Sequence, residues 1–91
     1  MRLEWTLSAI RDLRAAREFI SLDSRDAARR MAERIDEATV NLIDYPHMGR
    51  PGRVVNTKEL VVSGTPFIVI YRARGRAVQI LRVLHHSRKW P

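Results

Sequence analysis

Lys58-Glu59-Leu60-Val61-Val62, Phe67-Ile68-Val69-Ile70-Tyr71-Arg72 and Ala77-Val78-Gln79-Ile80-Leu81-Arg82-Val83-Leu84-His85 are the three runs whose reading decides the fold. Each is of strand length and rich in β-branched or aromatic residues, which fit a pleated surface. Gly64-Thr65-Pro66 separates the first run from the second, and Arg74-Gly75-Arg76 separates the second from the third. Both separators have turn composition, so the runs read as a three-stranded antiparallel meander. The second and third runs are apolar on both faces over part of their length, which places them centrally in a sheet. Alternation puts Phe67, Val69 and Tyr71 on one face, with Ile68, Ile70 and Arg72 on the other. In the third run it groups Leu81, Val83 and His85 against Val78, Ile80, Arg82, Leu84 and His86.

Upstream of the meander the period changes. Pro46-His47-Met48-Gly49-Arg50-Pro51-Gly52-Arg53 is a loop by composition. Before it, Ala28, Met31, Ile35, Ala38 and Leu42 recur at helical spacing, with Ser24 as the N-cap and Asp26 near the positive end of the dipole. That helix is expected to end near Asp44, ahead of Tyr45-Pro46. An earlier stripe, Leu7, Ile10, Leu13, Ala16 and Ile20, predicts a helix over 7–20 capped by Thr6. Asp12, with Arg11, Arg14 and Arg17, falls off that stripe and reads as part of a solvated face. The brief link Ser21-Leu22-Asp23 makes the two helices an antiparallel hairpin. Arg2-Leu3-Glu4-Trp5 alternates and reads as a first strand. The expected fold is therefore α+β: an N-terminal strand, a helical hairpin, then the meander, with the helices on one face of an antiparallel sheet.

The 91 residues carry 45% hydrophobic side chains, enough for a single domain over 1–91 with a small core. No cysteine is present, which excludes a disulfide framework or thiolate zinc site and fits a reducing, cytoplasmic setting. No apolar run approaches bilayer length, and the N-terminus lacks the apolar core of a signal peptide. The charge is uneven. The net charge is +7, and from Arg50 onward seven Arg and two Lys face one carboxylate, Glu59. Such an excess fits an anionic partner better than a membrane, because neither helical stripe is a basic amphipathic face with exposed aromatics.

Arg72 and Arg82 are expected to emerge from neighbouring strands and, with Arg53, Lys58 and Arg88, to outline a basic groove for phosphates or for the carboxylates of an acidic peptide. Arg50 and His86 join them as candidate contacts. RNA cleavage without a metal would need a base, an acid and cations for the developing charge. The candidates for it are His85, Glu59, Arg53 and Arg72, with His47 also in reach of consideration. An ordinary structural role for His85 and His86, one packed at the sheet edge and the other solvated, is about equally compatible. Adjacent His residues on a strand point to opposite faces, and no carboxylate has suitable spacing, so no metal or other cofactor is expected. Trp5 and Trp90 could stack on bases, although packing accounts for them more simply.

Trp5-Thr6 with Asp12-Leu13, Pro46-x-x-Gly49-Arg50, Lys58-Glu59-Leu60-Val61-Val62, Pro66 to Arg72 and Ile80-Leu81-Arg82-Val83-Leu84-His85, taken in order, resemble the RelE/ParE toxin superfamily. The resemblance spans essentially the whole chain. It implies the toxin of a bacterial type II toxin–antitoxin module, inhibiting growth and neutralised by an antitoxin that lays a helix and an extended segment on it. A chain this basic suits an acidic antitoxin segment. RelE-like members cleave messenger RNA on the ribosome, and ParE-like members poison DNA gyrase. Where RelE-like nucleases carry a catalytic Arg on the strand before the Tyr, this chain has Ile68. It also ends at Trp90-Pro91, without the C-terminal Tyr some of them use. The missing Arg tips the expectation toward gyrase, with a ribosome-dependent endonuclease as the alternative and a non-toxic nucleic-acid-binding module behind both. His85 stands about where other nuclease members place a C-terminal His.

Overall fold

A computed structural model describes residues 1–88 and 90; Lys89, one of the C-terminal cations, and Pro91 lie outside it. The order is β1 (Arg2–Trp5), α1 (Leu7–Ser21), α2 (Arg25–Asp44), β2 (Arg50–Pro51), β3 (Lys58–Val61), β4 (Phe67–Arg74) and β5 (Ala77–His85). The strands form one sheet in the order β1-β5-β4-β3-β2, and β4 and β5 are interior, as their two-faced apolarity requires. The fold is α+β, with two departures from expectation. β1 pairs parallel with β5, so the sheet is mixed. β2 is a fifth strand inside the stretch expected to be a loop, pairing Arg50 with Glu59 and Pro51 with Lys58. Two residues are too few for a periodic signal, and Pro51 is tolerated because this is the sheet edge.

The helices cover one face. Ala28, Met31, Ile35 and Leu42 of α2 are buried as the spacing predicts, and the last three pack on Phe67, Val69, Tyr71, Val78, Ile80 and Val83. Thr6 and Ser24 cap α1 and α2, accepting from the amides of Ala9 and Ala27 at 3.1 Å each. In α1 the expected stripe is only half right. Leu13, Ala16 and Ile20 pack against the core, but Leu7 and Ile10 are 61% and 43% exposed. The fully buried residue of the first turns is Ala9, small enough to let the helix approach β5.

The sheet register corrects the face assignment in β5. Ile70 pairs with Arg82 while Tyr71 pairs with Ile80, leaving Leu81 as a bulged extra residue. A bulge reverses alternation. Val83 therefore rejoins Val78 and Ile80 in the core, and Arg82 and Leu84 share the outer face with their partners Ile70 and Ile68.

Candidate functional site

β1 ends at Trp5, so the rest of β5 has an edge without a strand partner. Two side chains cover it. The Thr6 hydroxyl donates to the Leu81 carbonyl at 3.0 Å, and the Asp12 carboxylate accepts from the Val83 amide at 2.9 Å. The same carboxylate holds Arg82 bidentately, at 2.7 Å from Nε and 3.1 Å from Nη2. Asp12 is thus a tertiary clamp and not part of a solvated face. Its hydrogen bond pushes the Arg82 pKa up against partial burial. Arg82, expected in a partner-binding groove, is committed to holding α1 on the sheet.

Beyond the helices' reach, the outer face carries a groove of about 310 Å³. Its floor is Ile68, Ile70 and Leu84, its walls carry Arg50, Arg53 and Arg88, and His85, His86 and Trp90 close one end. Glu59 lies in the wall, paired through Oε1 with Arg50 at 3.2 Å. The carboxylate is shielded while Arg50 stays 62% exposed, so the pair tethers Glu59 and leaves part of the guanidinium facing out.

The loop that delivers Arg50 and Arg53 is latched from below by a tyrosine of β4 that alternation sets on the Phe67 face. Tyr71 is fully buried. Its hydroxyl donates to the Pro46 carbonyl at 2.9 Å and accepts from the Gly49 amide at 2.8 Å. Burial raises the Tyr71 pKa, with the Gly49 hydrogen bond opposing. Gly49 has no room for a side chain: a Cβ would stand 2.8 Å from the Tyr71 hydroxyl and from the Glu59 carbonyl.

His85 and His86 do not diverge as strand neighbours would. The strand stops at His85 and the chain turns, so the rings stack at 4.5 Å with a 31° tilt. His85 also meets Phe67 edge-on at 5.8 Å. The Ser87 amide donates to His85 Nδ1 at 3.1 Å, and the Ser87 hydroxyl is 2.8 Å from the same nitrogen. With Nδ1 accepting, the neutral ring carries its proton on Nε2.

The single basic groove expected from the sequence is in fact two. Arg72 and Lys58 line a separate one of about 640 Å³, with His47 and Arg74, at the other end of the sheet. From Phe67, the partner of His85, to Arg72 the strand advances about 17 Å. Arg72 therefore stands apart from His85, whereas Glu59 and Arg53 stand with it. Among the described residues no three His, Asp or Glu side chains converge to suit a metal ion. No helix there is long and apolar enough to cross a membrane.

The chain is a small basic domain with a two-helix cover on a mixed sheet and a cation-walled outer groove, and the comparisons place it among toxins. The sequence profile described as ParE toxin of type II toxin-antitoxin system, parDE, matches residues 3–90. A Sinorhizobium fredii protein named as a toxin, Y4kP, is 44% identical over 90 residues, covering 99% of this chain and 93% of its own. Toxin RelE2 of Caulobacter vibrioides is 38% identical over 84 residues, covering 92% and 93%. Among solved structures, the chromosomal ParDE TA system from P. aeruginosa matches with a TM-score of 0.83 at 30% identity, over 93% of this chain and 95% of that one. A YoeB/ParE toxin from Agrobacterium tumefaciens shares the fold at a TM-score of 0.66 and 22% identity, over 94% and 99%. The chain belongs to the ParE toxin family, within the RelE/ParE superfamily. It is the toxin of a type II toxin–antitoxin pair, and an antitoxin is its partner.

Proposed function

We propose that this toxin, a single cytoplasmic domain, stops growth by acting on DNA gyrase, and that its outer groove binds a partner and does no chemistry. The observation that carries this reading is the state of His85. A ring serving as general base toward a ribose hydroxyl needs a free acceptor nitrogen. Here Nδ1 already accepts from the Ser87 amide, which in the neutral ring leaves Nε2 as a donor. Glu59, the other proton acceptor in the groove, is tethered by Arg50. Arg72 is too distant to steady a phosphate held beside His85. What remains is an apolar floor with cations around it, a surface suited to an anionic or amphipathic protein segment. The family's antitoxin, with an acidic segment, would meet such a cationic chain under favourable electrostatic steering.

The second reading is a ribosome-dependent endoribonuclease. It is favoured by one observation, that His85, Glu59 and Arg53 line the same groove. Purified toxin incubated with gyrase and plasmid, beside ribosomes programmed with messenger RNA, separates the two. Trapped gyrase–DNA cleavage complexes with intact message are expected. Cut message with normal supercoiling would replace the gyrase reading with the nuclease one. Harmless expression without antitoxin would leave only a nucleic-acid-binding module.

A further inference from the structure

We infer that the far end of the outer face, around the β4–β5 turn, is a binding surface for the phosphate backbone of duplex DNA, separate from the groove at His85. Register sets Arg74 beside Ala77 and Ala77 beside Arg2, with Arg72 two residues back on the same face of β4. Arg76 sits in the turn, its carbonyl accepting from the Arg2 amide at 2.9 Å. Lys58 faces the same cavity as Arg72 and Arg74. Residues two apart on a strand are roughly 7 Å from each other, so these cations repel unless an anion lies among them.

The carboxylate that could quench them is already spent. Glu4 takes Arg2 at 2.9 Å and the Gln79 amide at 3.1 Å, and these bonds lower its pKa, with burial opposing only weakly. Gln79 in turn accepts from Arg72 Nε at 2.7 Å. That relay lays the Arg72 side chain across the sheet and leaves its two terminal nitrogens for a ligand. Among the described residues neither Arg74 nor Arg76 meets a carboxylate.

The lining separates the candidate ligands. An acidic amphipathic peptide needs apolar sockets for its anchors. The groove at His85 offers the half-buried Ile68 and Trp90 above the buried Ile70 and Leu84. This cavity is lined by His47, Pro51, Asn56, Thr57 and Ala73 beside the cations, with no Ile, Leu, Val, Phe or Met among them. A sugar–phosphate backbone asks for charge and hydrogen-bond donors without sockets. Duplex DNA, the substrate that gyrase itself holds, is the polyanion this surface fits.

The test uses the intact toxin and a short fluorescent duplex DNA, with binding followed by anisotropy across a salt series. Counterion release makes the logarithmic slope steeper by about 0.9 for each phosphate contacted. The double variant Arg74→Ser/Arg76→Ser is expected to flatten the slope by about two and weaken binding about tenfold or more at low salt. Arg74→Lys/Arg76→Lys keeps the charge and is expected to keep most of the slope. Arg50→Ser/Arg53→Ser, in the other groove, is expected to leave it unchanged.

An unaltered slope in the Ser variant overturns the assignment, as does loss of binding in the Arg50/Arg53 variant instead. Tighter binding of a poly-glutamate peptide than of DNA at equal charge would hand the surface to a protein partner. All the substituted residues are exposed, and the charge-keeping pair separates lost phosphate contact from lost folding. The choice of DNA over RNA rests on the gyrase reading, but the assay contains no gyrase, so its failure leaves that reading standing, and failure of that reading leaves the measured phosphate contact standing.

Discussion

The two faces of one sheet obey different rules. On the helix-covered face Ile35, Val69, Tyr71, Val78 and Ile80 are 0% exposed, and at its margin Asp12 of α1 pairs with Arg82 from the outer face. On the outer face the apolar floor is short, and Arg53, Arg74, Arg76 and Arg88 find no carboxylate among the described residues. A fold needs the first arrangement and gains nothing from the second, since unpaired surface cations repel and add no burial. The difference teaches where to look for function. Stability lives between helices and sheet, and the uncompensated charges are where partner chemistry is to be tested.

The comparison breaks most easily from the covered side. Ile35→Ala removes a fully buried side chain and is expected to cost about 2–5 kcal/mol. Against a total of about 5–10 kcal/mol for a domain of this size, chemical denaturation should then begin near zero denaturant. A loss of less than about 1 kcal/mol in unfolding free energy would mean the helices contribute far less than their burial implies. Asp12→Ala comes next. It leaves Arg82 without its carboxylate and the Val83 amide without an acceptor, at an expected cost of about 2 kcal/mol. Hydrogen exchange at the Val83 amide should accelerate more than at the neighbouring core amides. Equal acceleration throughout would make Asp12 a general contributor and not a clamp on one edge.

How far the sequence reaches can be judged on these same residues. The buried positions of α2 were legible because a helix writes its burial into local spacing, so Met31, Ile35 and Leu42 needed no knowledge of their partners. Asp12 was misplaced because its partners, Arg82 and the Val83 amide, are 70 and 71 residues away in the chain. Local spacing on α1 could only say that Asp12 lay off the apolar stripe. The bulge at Leu81 is set by pairing with β4 and is invisible in β5 alone, so parity beyond it was inverted. Alternation gave Arg72 its correct face but not its position along the strand relative to His85, and one imagined groove became two. Thr6 and Asp12 carry part of the resemblance to the family, and the structure supplies their physical reason: together they cover the edge of β5 that β1 leaves open.

Tyr71 lies at the boundary between the two faces, its ring in the core and its hydroxyl under the loop that carries Arg50 and Arg53. Tyr71→Phe keeps the ring but strips the Gly49 amide and the Pro46 carbonyl of their partner, an expected loss of about 1–3 kcal/mol. The wild-type protein also carries an alkaline liability. Burial raises the Tyr71 pKa in the folded state, so above the usual phenol value near 10 the unfolded chain releases a proton that the folded chain keeps. The Tyr71 contribution is full below that value and is lost as pH climbs through the raised one. The gap between wild type and Tyr71→Phe in urea should therefore narrow above about pH 10. A gap independent of pH would mean that the phenol is free to ionise in place.

The smallest expected stability effect, and the sharpest use of the comparison, belongs to Arg53→Ala. Arg53 is exposed, lines the groove and meets no carboxylate among the described residues. Its removal should change unfolding free energy by no more than about 0.5 kcal/mol. If the outer face serves a partner, the same change should abolish or strongly blunt growth inhibition, because a groove with an apolar floor relies on its few cations for orientation. Colony counts after induced expression, alongside a urea melt of the purified variant, read both quantities. Stability preserved with toxicity lost would place function on the uncovered face. Stability and toxicity both preserved would remove Arg53 from the contact surface and move the weight to Arg50, which Glu59 holds in place on the adjacent strand.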